Sequence, residues 1–99
     1  MTEPASTERQ RLDKWLWFAR VVRTRTAAQA LATSGHVRIN GIRVQSASQS
    51  VRVLDVLTIA LEHGVRVLEV RAFAERRGSA PDAQHLFRDI GTETPPDGI

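Results

Sequence analysis

An Asn-Gly pair set between two short aliphatic runs, in the stretch SGHVRINGIRV over residues 34–44, restricts the fold of this chain more than any other feature. Such a pair closes a β-hairpin through a two-residue type I′ turn, because both central positions of that turn need positive φ. The loop length then sets the register outward. Ile39 faces Ile42, Arg38 faces Arg43, Val37 faces Val44 and His36 faces Gln45. Two arginines are therefore directly opposed, an arrangement that destabilises a sheet by roughly a few tenths to 1 kcal/mol unless something neutralises it. An anion held between them would do so.

Two helices are expected before the hairpin. Leu12, Trp15, Leu16, Ala19 and Val22 fall at i, i+3, i+4, i+7 and i+10, one apolar stripe beginning near Arg11. Asp13, Lys14, Trp17 and Arg20 lie off it. Asp13 reads as an ion-pair partner that orients Arg20 or Lys14, and Trp17 as a side chain packed beneath a later segment such as a C-terminal helix, with a stacking face for a base as the alternative. The second helix should open near RTRT, capped by Thr24 or by Thr26, the latter forming a capping box with Gln29. Ala28, Leu31 and Ala32 face inward, and Gly35 suits the left-handed residue that ends such a helix.

After the hairpin come a polar loop, QSASQS, a strand-like run, VRVLDVLTIAL, bending near Leu54 and Asp55, a turn at EHG and a further strand, VRVLEVRAFA. ERRGSAP then interrupts the sheet. A short amphipathic helix is expected next, capped by Ser79 or Ala80, with Ala83, Leu86, Phe87 and Ile90 on one face that docks through Leu86 and Phe87. The pattern divides into a disordered lead at 1–8, a binding domain with its sheet extension at 9–75, a linker and C-terminal helix at 76–90, and a disordered acidic tail at 91–99. The fold class is α+β.

Charge narrows the function. The 99 residues carry a net charge of only +3, but residues 9–44 hold seven arginines and one lysine against a single acid, Asp13, for a local +7. A one-sided block of this kind is the electrostatic footprint of a polyanion-binding protein. The first-turn amides of the second helix, flanked by Arg23 and Arg25, favour an anion on their own. Arg38 and Arg43 on the hairpin, with Arg11 and Lys14 on the first helix, extend that site into a stripe.

Other chemistry is not expected. There is no cysteine, and His36, His63 and His85 have no spacing suited to metal ligation, so neither a metal site nor a cofactor is anticipated. No apolar run has the length of a membrane span.

The segments RLDKWLW, TRT and SGHVRINGIRV in this order resemble the RNA-binding domain of small-subunit ribosomal protein four, the alpha-L motif, and most closely its heat-shock protein fifteen family. AERRGSAPDAQHLFRDI continues the likeness more weakly. The resemblance implies two helices on a small, mostly antiparallel sheet with a short C-terminal helix. It also implies a non-enzymatic, cytoplasmic, monomeric protein that binds structured RNA. Ribosomal RNA is the implied partner, with the large subunit in stalled-ribosome recycling or the heat-shock response as the setting. By that similarity the RNA-contacting positions are Arg11, Lys14, Arg23, Thr24, Arg25, His36, Arg38, Asn40 and Arg43. Two features depart from the family pattern: Leu54 stands where glycine is common, and residues 82–99 hold four acids against Arg88 alone where fuller members carry a basic helix.

Two other classes compete. The domain also resembles the accessory module of pseudouridine synthases and tyrosyl-transfer-RNA synthetases, but no catalytic motif is found in these residues, so an enzyme is not expected. Helix, helix and hairpin also read as a helix-turn-helix with a wing, which makes duplex DNA the alternative partner.

Overall fold

A computed structural model describes residues 8–93; most of the expected lead and tail lies outside the described residues. Strand β1 (Gln10–Arg11) runs into helix α1 (Leu12–Phe18), and α2 (Arg25–Thr33) leads to the hairpin of β2 (Val37–Ile39) and β3 (Ile42–Arg43). Then follow β4 (Ser50–Val51), β5 (Val56–Leu61), β6 (Gly64–Val70), the single turn α3 (Ala80–Ala83), a 3-10 turn at Gln84–Leu86 and β7 (Phe87–Glu93). The architecture is α+β, as expected. A five-stranded antiparallel sheet has the order β3-β2-β5-β6-β7, and β1 pairs with β4 in a separate two-stranded ribbon.

Hairpin geometry follows the Asn-Gly reading. Arg38 pairs with Arg43 and Ile39 with Ile42, Asn40 and Gly41 have φ of 51° and 85°, and the Val44 amide donates to the Val37 carbonyl. Alternation puts Val37 and Ile39 on the core face and Arg38 on the opposite face. The core face continues through Leu57, Ile59, Leu68 and Val70, and onto it pack Leu12, Trp15, Leu16, Phe18 and Ala19 of the first helical segment with Ala28 and Ala32 of α2. Trp15 is fully buried and its indole N–H reaches the Ala72 carbonyl at 3.1 Å, which satisfies its one polar group.

Helix α1 ends four residues earlier than its stripe implies. The Arg20 amide donates to the Trp17 carbonyl and the Val21 amide to the Leu16 carbonyl, while Arg20 itself has φ of 62°. This is a Schellman termination with arginine where glycine is usual, so Val22 joins the core edge from a turn. The second helix is capped by Thr24, whose hydroxyl accepts from the Ala27 amide at 3.0 Å. The Thr26–Gln29 box does not form, because Thr26 already lies within the first turn; the Gln29 side chain donates to Asp13 instead.

The largest correction concerns residues 80–93. Ser79 caps the expected helix in a full capping box with Asp82, but the helix lasts one turn and Phe87–Glu93 is a strand on the edge of the sheet. Phe87 and Ile90 therefore do not share a helical face with Ala83 and Leu86. Docking through Leu86 and Phe87 does occur: Leu86 is buried, its carbonyl accepts from the Arg71 and Ala72 amides, and the Phe87 ring meets Trp15 edge-on at 6.4 Å. Residues 91–93, expected in the tail, belong to this strand.

Leu54, the departure from glycine, adopts φ of 81°, the conformation glycine would take there, at the third position of a turn closed by the Asp55 amide on the Arg52 carbonyl. The turn keeps the shape that glycine favours, with a leucine side chain 61% exposed.

Candidate nucleic-acid interface

The residues that build this surface are set by one buried carboxylate. Asp13 is wholly inaccessible to solvent. Its oxygens accept from Arg11 at 3.0 and 3.1 Å, from the Lys14 amide at 2.8 Å and from the Gln29 side chain at 3.2 Å, with Arg25 Nε 3.6 Å away. Burial pushes the Asp13 carboxyl up, but hydrogen bonds from Arg11, Gln29 and the Lys14 amide, with the Arg11 charge, outweigh it and hold the group below the ordinary carboxylate range. The same contact raises the Arg11 guanidinium above its usual value. Asp13 is thus an ion-pair partner as expected, but of Arg11 and Arg25; neither the Arg20 nor the Lys14 side chain is its partner.

This arrangement ties the start of α1 to the start of α2. Arg25, held partly buried by Asp13, lies in the first turn of α2, which has no acidic residue to compete for an incoming anion. Arg23 and Thr24 beside it are exposed, and Lys14 is partly so. Among the described residues, Arg23 and Arg38 form no ion pair with any acid.

At the hairpin, Arg38 and Arg43 are both exposed on the face opposite the core. Arg43 lies across Gly35, so closely that a methyl group there would collide with its guanidinium, and Gly35 has φ of 86°. Its charge thereby sits at the C-terminal end of α2, where the helix dipole favours a cation. His36 is exposed, with Nδ1 2.6 Å from the Ser34 hydroxyl.

Asn40 is placed differently. Its side chain donates to Asp55 at 3.0 Å and accepts from the Val56 amide at 2.9 Å, so it fastens the hairpin turn to the start of β5. Trp17 stacks on Phe18 at 5.4 Å between ring centres and packs at the edge of the core.

Sequence reasoning missed the contribution of the segment after β6. Arg77 reaches back to the Trp17 and Val22 carbonyls and Arg20 reaches forward to Gly78. Nothing in the local pattern of ERRGSAP announces a contact some 60 positions away; the one available signal was two adjacent arginines in a segment without periodicity. Among the described residues no group of three or more metal-binding side chains is assembled, and no helix is long and apolar enough to cross a membrane.

Residues 10–57 match the S4 domain family. The heat shock protein 15 homologue of Haemophilus influenzae is 37% identical over 79 residues, covering 80% of this chain and 60% of the relative. Small ribosomal subunit protein uS4 of Rhodopseudomonas palustris is 39% identical over 69 residues, 68% of this chain and 34% of that protein. Among solved structures, the trimeric heat shock protein 15 of Vibrio cholerae superimposes with a TM-score of 0.78 at 36% identity, over 84% of this chain and 83% of that one. The chain spans about 60% of the length of the Haemophilus relative.

Proposed function

We propose, from the premise that this chain belongs to the heat shock protein 15 family and carries that family's S4 domain, that it is a non-enzymatic binder of structured RNA. One observation carries the reading. The only acid between residues 9 and 44, Asp13, is fully buried, so every ionised side chain that this segment shows to solvent is cationic. Arg9, Arg11, Arg20, Arg23, Arg38 and Arg43 are exposed, and Lys14 and Arg25 are partly so. Exposed charge of one sign, at the N-terminus of α2 and on the hairpin by its C-terminal end, suits a folded phosphate backbone, read by shape and charge.

Within this class we assign ribosomal RNA as the target, since relatives are named as heat shock and small-ribosomal-subunit proteins; the cytoplasmic large subunit, in recycling of stalled ribosomes, is the setting that the family resemblance implies. Arg23, Arg38, Arg43, Lys14 and His36 are the proposed direct contacts. Arg11, Thr24 and Arg25 share that role with structural work at Asp13 and at the α2 cap, and Asn40 contributes by shaping the turn. A single copy of the chain supplies all these groups, and binding by a monomer is the simplest form of the proposal.

Duplex DNA is the weaker reading because α2, the helix that would enter a major groove, shows Thr26, Ala27, Gln29, Ala30 and Thr33 to solvent, with no long basic side chain among them. Competition at fixed salt between a folded ribosomal RNA fragment and duplex DNA of equal length tests this. The proposal expects RNA to be preferred, and preference for the duplex would overturn it. Crosslinking in cells followed by sequencing of attached RNA tests the setting, with enrichment of large-subunit RNA as the expected result.

A further inference from the structure

Two arginines cross between the α1–α2 turn and the segment that follows β6. Arg20 Nε donates to the Gly78 carbonyl at 3.0 Å. In return Arg77 Nε donates to the Trp17 carbonyl at 3.1 Å, with Nη2 3.4 Å from the Val22 carbonyl. Neither contact is incidental to the local backbone. Arg20 occupies the left-handed position that ends α1, where glycine would sit without strain, yet only a long side chain there can reach Gly78. Trp17 O already receives the Arg20 amide, so Arg77 completes the acceptor capacity of a carbonyl at the helix end.

The consequence falls on the next residues of the chain. Among the described residues, the Val22 and Arg23 backbone groups bond to no other backbone group, and the Arg77 guanidinium is the group that anchors Val22. Arg23 follows Val22 directly, and Thr24, which caps α2, comes next. Beside Arg77, the restraints on how Arg23 leaves the turn are the packing of Val22 at the core edge and the Thr24 cap, and short, weakly bonded turns are among the most easily opened parts of a fold.

We propose that Arg77 is a positioning residue for RNA binding, one that acts through the α1–α2 turn. Braced by Arg20 on Gly78, its guanidinium sets that turn so that Arg23 and the first-turn amides of α2 meet one phosphate together. Arg77 is half-buried and already uses Nε and Nη2 on protein carbonyls, which leaves it poorly placed to be a phosphate ligand itself. The inference rests on the RNA-binding reading above and adds a residue outside the basic segment to its machinery.

Arg77→Lys separates the possibilities because it keeps the charge while a single ammonium replaces the planar fork that reaches both carbonyls. Wild type, Arg77→Lys, Arg23→Ala and the double variant are titrated with a folded ribosomal RNA fragment from low to moderate salt, each first shown to be folded at the assay temperature. Arg77→Lys should weaken binding about tenfold, the equivalent of one good charge-assisted contact. It should also lower the salt slope by about 0.9, one phosphate contact. In its background the Arg23→Ala penalty should nearly vanish, since the two residues act on the same phosphate. Arg77→Gln should behave alike. If wild type binds and Arg77→Lys matches it, or if the two penalties simply add, this inference is wrong and RNA binding stands. If wild type fails to bind structured RNA, the functional reading falls and takes this inference with it. Failure of both Arg77 variants to fold would mark the residue as purely structural and equally overturn the proposal.

Discussion

Replacing Asp13 with alanine should destabilise the domain by about 2 to 3 kcal/mol, more than any other single charge removed from the basic segment. The magnitude follows from what the carboxylate leaves behind. The Lys14 amide and the Gln29 side chain each lose an acceptor in a partly buried setting, at about 1 kcal/mol apiece. Arg25 Nε, inaccessible to solvent and without a hydrogen-bond partner, loses the counter-charge 3.6 Å away. Breaking a fully buried pair costs about 3 to 5 kcal/mol, but the Arg25 and Arg11 side chains keep 36% and 47% exposure, which moves the sum toward the lower end. Urea melts at neutral pH measure the loss directly. A difference below about 0.5 kcal/mol would mean that the buried carboxylate does not join α1 to α2 in the way described. The pH dependence has a definite sign: the folded carboxyl lies below its unfolded value, so its contribution is complete above the ordinary carboxylate pKa of about 4 and is lost as pH falls through the depressed folded value. Asp13→Asn should flatten the acid limb of stability in that window.

Two further substitutions test the turns. Leu54→Gly should raise stability by roughly 0.5 to 1 kcal/mol in thermal melts, because about 1 to 2 kcal/mol of left-handed strain is relieved against about 0.4 to 1 of added chain entropy; a loss would show that the exposed leucine makes a contact of value. Asn40→Gly keeps the positive φ but removes both bonds to Asp55 and Val56, so stability should drop by about 1 to 2 kcal/mol while the salt slope of RNA binding stays fixed. Unchanged stability beside weaker RNA binding would make Asn40 a direct RNA contact.

Much of this molecule was legible in its sequence because the deciding signals were local. Asn40-Gly41 dictated a two-residue turn and hence the Arg38–Arg43 pairing. The i, i+3, i+4 spacing of Leu12, Trp15 and Leu16 identified the buried face of α1. What could not be read depended on distant partners. Phe87 and Ile90 have helical spacing with Ala83 and Leu86, but β6 offers a full edge for hydrogen bonding, and residues 87–93 pair with it in preference to extending one helical turn. Gln29 has the spacing of a capping-box residue for Thr26, but the helix is capped earlier, by Thr24, which leaves Thr26 inside the first turn, and the Gln29 amide instead donates to the buried Asp13 carboxylate. Asp13 lies off the apolar stripe and is nonetheless sealed, because the arginines that cover it come from either side in the chain. Its burial is what turns a segment with one acid into a surface with none.

The central claim is that the exposed cations around the α2 N-terminus and the hairpin hold RNA phosphates, and the salt dependence of binding for wild type and Arg38→Ala tests it most directly. Arg38 is exposed, opposes a like charge and pairs with no acid among the described residues, so its loss should leave stability unchanged or a few tenths of a kcal/mol higher. Titrations with a folded ribosomal RNA fragment should show weaker binding and a slope of log affinity against log salt reduced by about 0.9. An unchanged affinity and an unchanged slope, beside a folded and equally stable variant, would contradict the account.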